Sequence, residues 1–304
     1  MLRVHEMMFG TREAFDYVQC SSCKTLQIKE IPHDLSRFYP GDYYSFSDGA
    51  SPVPPSFYVR LLRRLRAEHV LNGSRNPLGV AVTKWKGIPD YLQWLQRAGV
   101  RTGSSLLDVG CGRGHLLREL SYSGFTDLRG VDPFLPADQF VGRGVLLEAK
   151  SVHEIDGQFD CLLLNHSFEH VPDPVSLLET LRRLLKPGGT MILRVPLASS
   201  KAFTEYGADW VQLDAPRHLY LLTPAAIESL ARRAHFSVSR VDFDSTGFQF
   251  WGSEQYRKGI PLFSEASHLK TGNVFNQSEL TAFADKANEA NAQAQGDQAS
   301  FYLS

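Results

Sequence analysis

Three glycines alternate in Asp108-Val109-Gly110-Cys111-Gly112-Arg113-Gly114, directly after an apolar run and at the head of a helical pattern. A glycine-rich turn in that setting lets backbone approach a ligand with no side chain in the way, while its free N–H groups face outward. Gly-x-Gly-x-Gly differs from the Gly-x-Gly-x-x-Gly spacing that holds a pyrophosphate, so the loop favours a nucleoside without one. Asp132 ends the next apolar run and precedes Pro133. About twenty residues beyond the glycines is where a carboxylate can accept both hydrogen bonds of a ribose diol. The plain structural alternatives are a tight strand-to-helix turn for the glycines and an Asx turn for Asp132.

Two further segments extend the same wall. A third run ends at Ala149-Lys150-Ser151-Val152, which makes Ser151 and Val152 candidates for the adenine edge. After a fourth run comes Asn165-His166-Ser167-Phe168-Glu169-His170-Val171-Pro172-Asp173-Pro174, a polar patch at the carboxyl end of a strand, where open α/β sheets place ligands. Asn165 and His166 therefore join Asp108, Gly110, Cys111, Gly112, Gly114, Asp132, Pro133, Ser151 and Val152 as candidate cofactor contacts.

The elements that must position these residues alternate in the manner of βαβ units under a parallel sheet. Strands are expected at 105–109, 128–131, 145–148, 159–164, 190–195 and 238–243, with helices at 115–123, 174–185 and 224–235. Thr223-Pro224 is a helix start, with Thr at the cap and Pro at the first helical position. Upstream, helices are expected around 57–71 and 90–98, separated by the turn-rich 72–77. In the first of them Leu61, Leu62 and Leu65 form the buried stripe and Arg60, Arg63, Arg64 and Arg66 the solvated face. Residues 1–55 read as an irregular small N-terminal module, closed by Pro40-Gly41 and a linker at Ser51-Pro52-Val53-Pro54-Pro55. Residues 56–304 form the main domain, within which 246–296 break the rhythm, with a helix-prone stretch from Ser278 to Ala294. Ala299 to Leu303 returns to period two as a last strand.

In combination, Leu106-Leu107-Asp108-Val109-Gly110-Cys111-Gly112-Arg113-Gly114, Gly130-Val131-Asp132, Phe159-Asp160, Glu169-His170-Val171 and Lys186-Pro187-Gly188-Gly189 resemble the ordered motifs of class I S-adenosylmethionine (SAM)-dependent methyltransferases over residues 90–245. The resemblance implies a doubly wound α/β fold with a seven-stranded sheet, mostly parallel with an antiparallel last strand. It implies SAM as cofactor and S-adenosylhomocysteine as product, and it makes 246–296 a substrate-side insertion before the last strand. The subgroup it most resembles has a cysteine-bearing N-terminal module and acts on sugars, nucleotide-sugars or other small bacterial metabolites. Tyr17-Val18-Gln19-Cys20-Ser21-Ser22-Cys23, Phe38-Tyr39, Tyr43-Tyr44 and Pro216-Arg217-His218-Leu219-Tyr220 carry that part of the likeness. Such modules hold zinc with two Cys-x-x-Cys pairs; here Cys20 and Cys23 supply one pair alone, so no metal is expected.

Methyl transfer to a hydroxyl or amine needs an acceptor in line with the S–CH₃ bond and a group that takes its proton, most naturally an imidazole. His218, with Asp214 to orient it, is the candidate base; His170 either shares that role or orders its loop. Aromatics at 248, 250, 251 and 256 are candidates for the acceptor wall. The acceptor is expected to be a small molecule, a sugar or nucleotide-sugar first and an aromatic or polyketide hydroxyl second. A SAM-binding protein without turnover is a rival of another class, and an NAD oxidoreductase would want the other glycine spacing.

Composition narrows the rest. With 43% apolar and 21% charged residues in 304, the chain suits a globular fold, and a net charge of −1 offers no general field for nucleic acid. No apolar run is long enough to span a bilayer, no secretory leader is evident, and four cysteines make no disulfide framework. A cytoplasmic monomer or homodimer without nucleic-acid or membrane partners is the expectation.

Overall fold

The computed structural model describes residues 1–39 and 54–304. Pro40-Gly41, Tyr43-Tyr44 and the first three residues of the linker at 51–55 lie outside the described residues. The strands are β1 (Leu2–His5), β2 (Ala14–Gln19), β3 (Leu26–Ile28), β4 (Leu106–Val109), β5 (Leu128–Val131), β6 (Gln139–Val141), β7 (Val145–Glu148), β8 (Phe159–Asn165), β9 (Leu185–Pro196), β10 (Tyr220–Leu221), β11 (Val238–Phe243) and β12 (Gln298–Leu303). The helices are α1 (Phe57–Asn72), α2 (Pro77–Lys86), α3 (Asp90–Arg97), α4 (His115–Tyr122), α5 (Pro174–Leu184), α6 (Lys201–Tyr206), α7 (Pro224–Arg233), α8 (Phe248–Arg257), α9 (His268–Thr271) and α10 (Gln277–Ala292).

The central sheet runs β11-β12-β9-β8-β4-β5-β7-β6. β4 lies between β5 and β8, parallel to both, so the chain leaves it first to one side and later to the other. That reversal opens a crevice at the carboxyl ends of the strands, where doubly wound sheets bind ligands. Every residue of β4 is buried, as a strand covered on both faces requires. Leu107 and Leu162 join the apolar layer under α5 and α7, while Leu106 and Leu163 join the layer under α3 and α4. β12 is antiparallel to both β9 and β11, as the resemblance implies. The sheet has eight strands rather than seven, because β6 hairpins back onto β7 at the edge.

Residues 1–39 are not irregular. β1, β2 and β3 form an antiparallel sheet, and β10 from the far half of the chain pairs with β3 to complete it. The N-terminal strands and the main domain thus share a sheet and the apolar cluster of Val4, Tyr17, Leu26, Trp210, Leu219 and Phe250. The segment 72–77 turns directly into α2, whose start is capped by the Asn76 side chain with Pro77 at the first helical position. In α1 the assignment of faces is corrected: Arg66, Ala67 and Val70 are buried, while Leu61 is exposed. The guanidinium of Arg66 reaches the Gly87 carbonyl at the end of α2, so packing of α1 on α2 overrides the leucine stripe. β9 starts at Leu185 instead of Thr190, carrying Lys186 to the Asp160 carboxylate at 3.0 Å. No helix among the described residues is long and apolar enough to cross a membrane.

Candidate functional site

The turn after β4 is held open by its backbone. Gly110 has φ +75°, and a Cβ there would stand 2.4 Å from the Ser167 Cβ. Ser167 donates its hydroxyl to the Val109 carbonyl at 2.8 Å, which clamps the turn against the end of β8. The Asp132 carboxylate accepts from Gly112 N through Oδ2 and from Phe134 N through Oδ1, both at 2.9 Å. Each oxygen keeps a second lone pair. Burial raises the Asp132 carboxyl above the ordinary range against the pull of those two N–H groups.

These elements enclose a cavity of about 330 Å³. Gly110, Gly112, Asp132, Pro133, Ser151, Val152 and His166 all line it, as does His170. Its floor is a polar edge at the glycines and Asp132; its far wall is apolar, with Val152, Leu164, Val171 and Leu177. A ribose diol and an adenine ring need such a combination, a two-oxygen acceptor beside a flat apolar slot. SAM therefore fits the residues present.

Four expected contacts stand outside that lining. Asp108 is 4% exposed beneath the turn, and burial followed by the nearness of Asp132 pushes its carboxyl up to about 7. The Cys111 thiol is turned inward toward Gly130, and burial raises it strongly. Gly114 caps α4 in the left-handed region with Leu147 packed on it. Asn165 is exposed and accepts from Arg194 Nη1. The glycine pattern marks the whole turn, whereas the Asp108 and Cys111 side chains turn inward.

A second cavity of about 340 Å³ opens on the other side of His166, and His166 lines both. Its walls include Met8 from the N-terminal segment, Val211, and Phe248, Leu262, Phe263 and Leu269 from the 246–296 region. Of the aromatics expected there, Phe248 lines the cavity; Phe250 is fully buried beneath Tyr206, Trp251 packs edge-on against Phe248, and Tyr256 sits in the cluster with Met8 and Leu262. Asp214 and His218 provide polar groups at its inner end.

At the partition between the cavities every imidazole has a defined tautomer. His166 sits at φ +53° and accepts from Arg194 Nη1 through Nε2 at 2.8 Å, so Nδ1 donates to Glu169 Oε1 at 3.3 Å. His218 donates Nδ1–H to the Gln212 carbonyl at 2.7 Å, which leaves Nε2 unprotonated, 3.8 Å from Glu169 Oε1 and 3.8 Å from Asp214 Oδ2. His170 donates Nδ1–H to the Arg217 carbonyl at 2.9 Å, with the Tyr39 hydroxyl 3.2 Å from the same nitrogen, and meets the His218 ring edge-on. Burial pushes His218 down to about 4, so the ring is neutral. Burial opposes ionisation of Glu169, but the His166 hydrogen bond and the surrounding imidazoles outweigh it and hold the carboxyl at about 2. Asp214 is likewise held below the usual range, Arg217 and His218 overcoming its burial.

Asp214 is fixed from behind. Arg217 donates to Asp214 Oδ1 through Nε and Nη2, to Glu6 Oε1 through Nη2 and to the Phe38 carbonyl through Nη1. Tyr17 donates its hydroxyl to the His218 carbonyl at 2.7 Å. Glu6, Met8, Tyr39, Phe134, Glu169 and Arg217 are thus site residues absent from the expectation. Glu169, Arg217 and Tyr39 stand in segments quoted for the family likeness, the first two beside a candidate histidine, whereas Glu6, Met8 and Phe134 carry no local mark. Cys20 is exposed at the tip of the β2–β3 turn, and among the described residues no third histidine, cysteine or carboxylate gathers with it and Cys23 as a ligand set.

Comparison with known proteins gives likenesses of three kinds. The model of a family described as "Methyltransferase domain" matches residues 86–241. The ubiquinone biosynthesis O-methyltransferase of Pseudomonas aeruginosa is 30% identical over 172 residues, covering 50% of this chain and 73% of that protein. The Bordetella avium protein of the same name is 33% identical over 164 residues, 48% of this chain and 68% of that one. Among solved structures, the O-methyltransferase from a trans-AT PKS multienzyme of Brevibacillus brevis, in complex with S-adenosyl-L-homocysteine, covers 78% of this chain and 78% of its own at 14% identity and a TM-score of 0.42.

Proposed function

The chain belongs to the class I SAM-dependent methyltransferases, and from that premise we propose that it methylates a hydroxyl group on a small, largely apolar acceptor held between Met8 and the 246–296 insertion. One observation carries the reading. His166 is the shared wall of the glycine-loop cavity and the apolar cavity, and the Glu169, His170, His218 and Asp214 cluster lies at that wall. SAM, when bound, supplies an electrophilic methyl group. The chain's own residues do the remainder. Asp132 and the Gly110–Gly112 backbone hold the nucleoside, with Ser151 and Val152 at its adenine end. The apolar walls position the acceptor and keep water from the reacting centre. His218 Nε2 takes the hydroxyl proton, Asp214 steadies the imidazolium that forms, and His170 packs against the ring and fixes its plane.

The lining also bears on which acceptor enters. A sugar or nucleotide-sugar would turn several hydroxyls toward Val211, Leu262, Phe263 and Leu269, which offer no side-chain partners. Each hydroxyl so stranded costs about 1–3 kcal/mol. That favours an aromatic or polyketide-like hydroxyl over a carbohydrate, and the O-methylation in the names of the relatives points the same way. Incubation with SAM and a panel of phenols, long-chain hydroxy compounds and nucleotide-sugars, read by mass spectrometry, tests this. Methylation of apolar hydroxyls is expected; methylation confined to the nucleotide-sugars rejects it.

A further inference from the structure

We propose that Glu169, His170 and His218 form a binding site for a divalent cation of the zinc type at the partition between the two cavities. One ligand atom from each residue lies within 4.8 Å of the other two. Modest side-chain rotations bring such atoms to the separations set by metal–ligand bonds of about 2.0–2.2 Å.

The hydrogen bonds around the cluster are those of a ligand set. His218 and His170 each tie Nδ1–H to a backbone carbonyl, of Gln212 and Arg217, so each ring keeps its lone pair on Nε2. Metal-bound histidines are held in this way, the second bond fixing tautomer and ring plane. His218 Nε2 meets Glu169 Oε1 and Asp214 Oδ2 at 3.8 Å each, so a lone pair faces two carboxylate oxygens with no hydrogen between them. Acceptors converge favourably only around a positive charge, a proton or a cation.

A second observation points the same way independently. Glu169 is 2% exposed, and its Oε2 is buried with no hydrogen-bond partner among the described residues. A buried carboxylate oxygen left bare is costly, and a cation satisfies it. Arg217 answers Glu6 and Asp214, whereas the ion-pair partners of Glu169 among the described residues are imidazoles alone. Two imidazoles and one carboxylate make a donor set suited to zinc, with a fourth position left open. His170 borders the first cavity and His218 the second, so an ion can enter from either. On the reading that His218 takes the acceptor's proton, ion and proton compete for one lone pair, and a filled site silences the enzyme.

The test is calorimetric titration of Zn²⁺ into the S-adenosylhomocysteine-loaded full chain carrying Cys20→Ser and Cys23→Ser, which removes the Cys-x-x-Cys pair, Cys20 exposed and Cys23 half-buried, as a rival site. Expected is one Zn²⁺ per chain, four-coordinate visible bands when Co²⁺ replaces it, and affinity at least about tenfold weaker in each of Glu169→Gln, His170→Gln and His218→Gln. An unchanged circular dichroism spectrum and urea midpoint identify the variants that remain folded, and the Co²⁺ spectrum reports nitrogen ligation without any variant. Absent Zn²⁺ binding, binding that survives the three substitutions, or a Co²⁺ spectrum of water and carboxylate ligands alone overturns the site. None of these readouts uses an acceptor, so their failure is distinct from failure of the methylation reading.

Discussion

Glu6 and Arg217 are 211 positions apart in the chain and 2.8 Å apart in the fold, and neither side chain has any exposed surface. The same guanidinium grips Asp214, which faces His218. The first strand-and-loop segment of the protein is therefore part of the support for His218, the histidine we propose as the proton acceptor.

Glu6→Ala is expected to destabilise the fold by about 3–5 kcal/mol, because it leaves a buried guanidinium with one carboxylate in place of two. Glu6 also accepts from the backbone N–H groups of Phe9 and Thr11, so the loss includes the turn that carries Met8. Urea unfolding checks this. A change within experimental scatter would mean that Arg217 is satisfied by Asp214 and the Phe38 carbonyl alone.

That long-range pair also marks what could be read from residue order. Strands 128–131 and 145–148 end where expected, because short apolar runs bounded by Gly, Pro or polar turns have one stable placement in a buried parallel sheet; 238–243 also ends where expected, although β11 is a partly exposed edge strand antiparallel to β12. The glycine turn and Asp132 were legible for the same reason, since local backbone chemistry sets their geometry. β1 to β3 were not: β1 buries only Val4 fully, and the sheet closes on Tyr220–Leu221 from the distant half of the chain. Asn76-Pro77 has the composition of a turn, yet the pair is also a helix start. Arg66 went inside and Leu61 outside because neighbouring helices, not the period of α1, decided its buried face. Nothing local in Glu6 announces Arg217.

Substitution of His218 by Gln is expected to lower kcat by about 10²–10⁴-fold, the usual worth of a positioned base. Affinity for S-adenosylhomocysteine should stay within about twofold, since His218 lines the second cavity and not the first. Steady-state kinetics beside calorimetry separates the two. Parallel loss of binding and turnover would make His218 a structural residue instead.

Gly110→Ala combines a left-handed backbone with a collision against Ser167. Gly144→Ala has φ +83° but no neighbour within 4 Å among the described residues, so it registers backbone strain alone. Both should lose about 1–2 kcal/mol of stability from the positive φ, and only Gly110→Ala should also weaken S-adenosylhomocysteine binding. Equal affinities in the two variants would remove the glycine loop from the binding site.

Asp108 makes a pH prediction. Its folded carboxyl is raised from an ordinary 3.8 to about 7, chiefly by burial. Below the unfolded value both states are protonated and stability is intact. Between the two values the unfolded chain releases a proton that the folded one keeps, so stability falls as pH rises, and the loss is complete above about 7. Asp108→Asn should flatten that slope and gain on the wild type most at alkaline pH. Urea midpoints measured from about pH 5 to about pH 8 decide it; parallel curves for the two proteins would show that Asp108 is ionised in the fold.

The most direct measurement is calorimetric titration of S-adenosylhomocysteine into the wild type and Asp132→Ala, with NAD as the control ligand. Micromolar binding to the wild type, weaker by about 1–3 kcal/mol once the two-oxygen acceptor is removed, with no heat from NAD, is the expected result. Undiminished binding to Asp132→Ala, or preference for NAD, would contradict the placement of SAM over Gly110, Gly112 and Asp132.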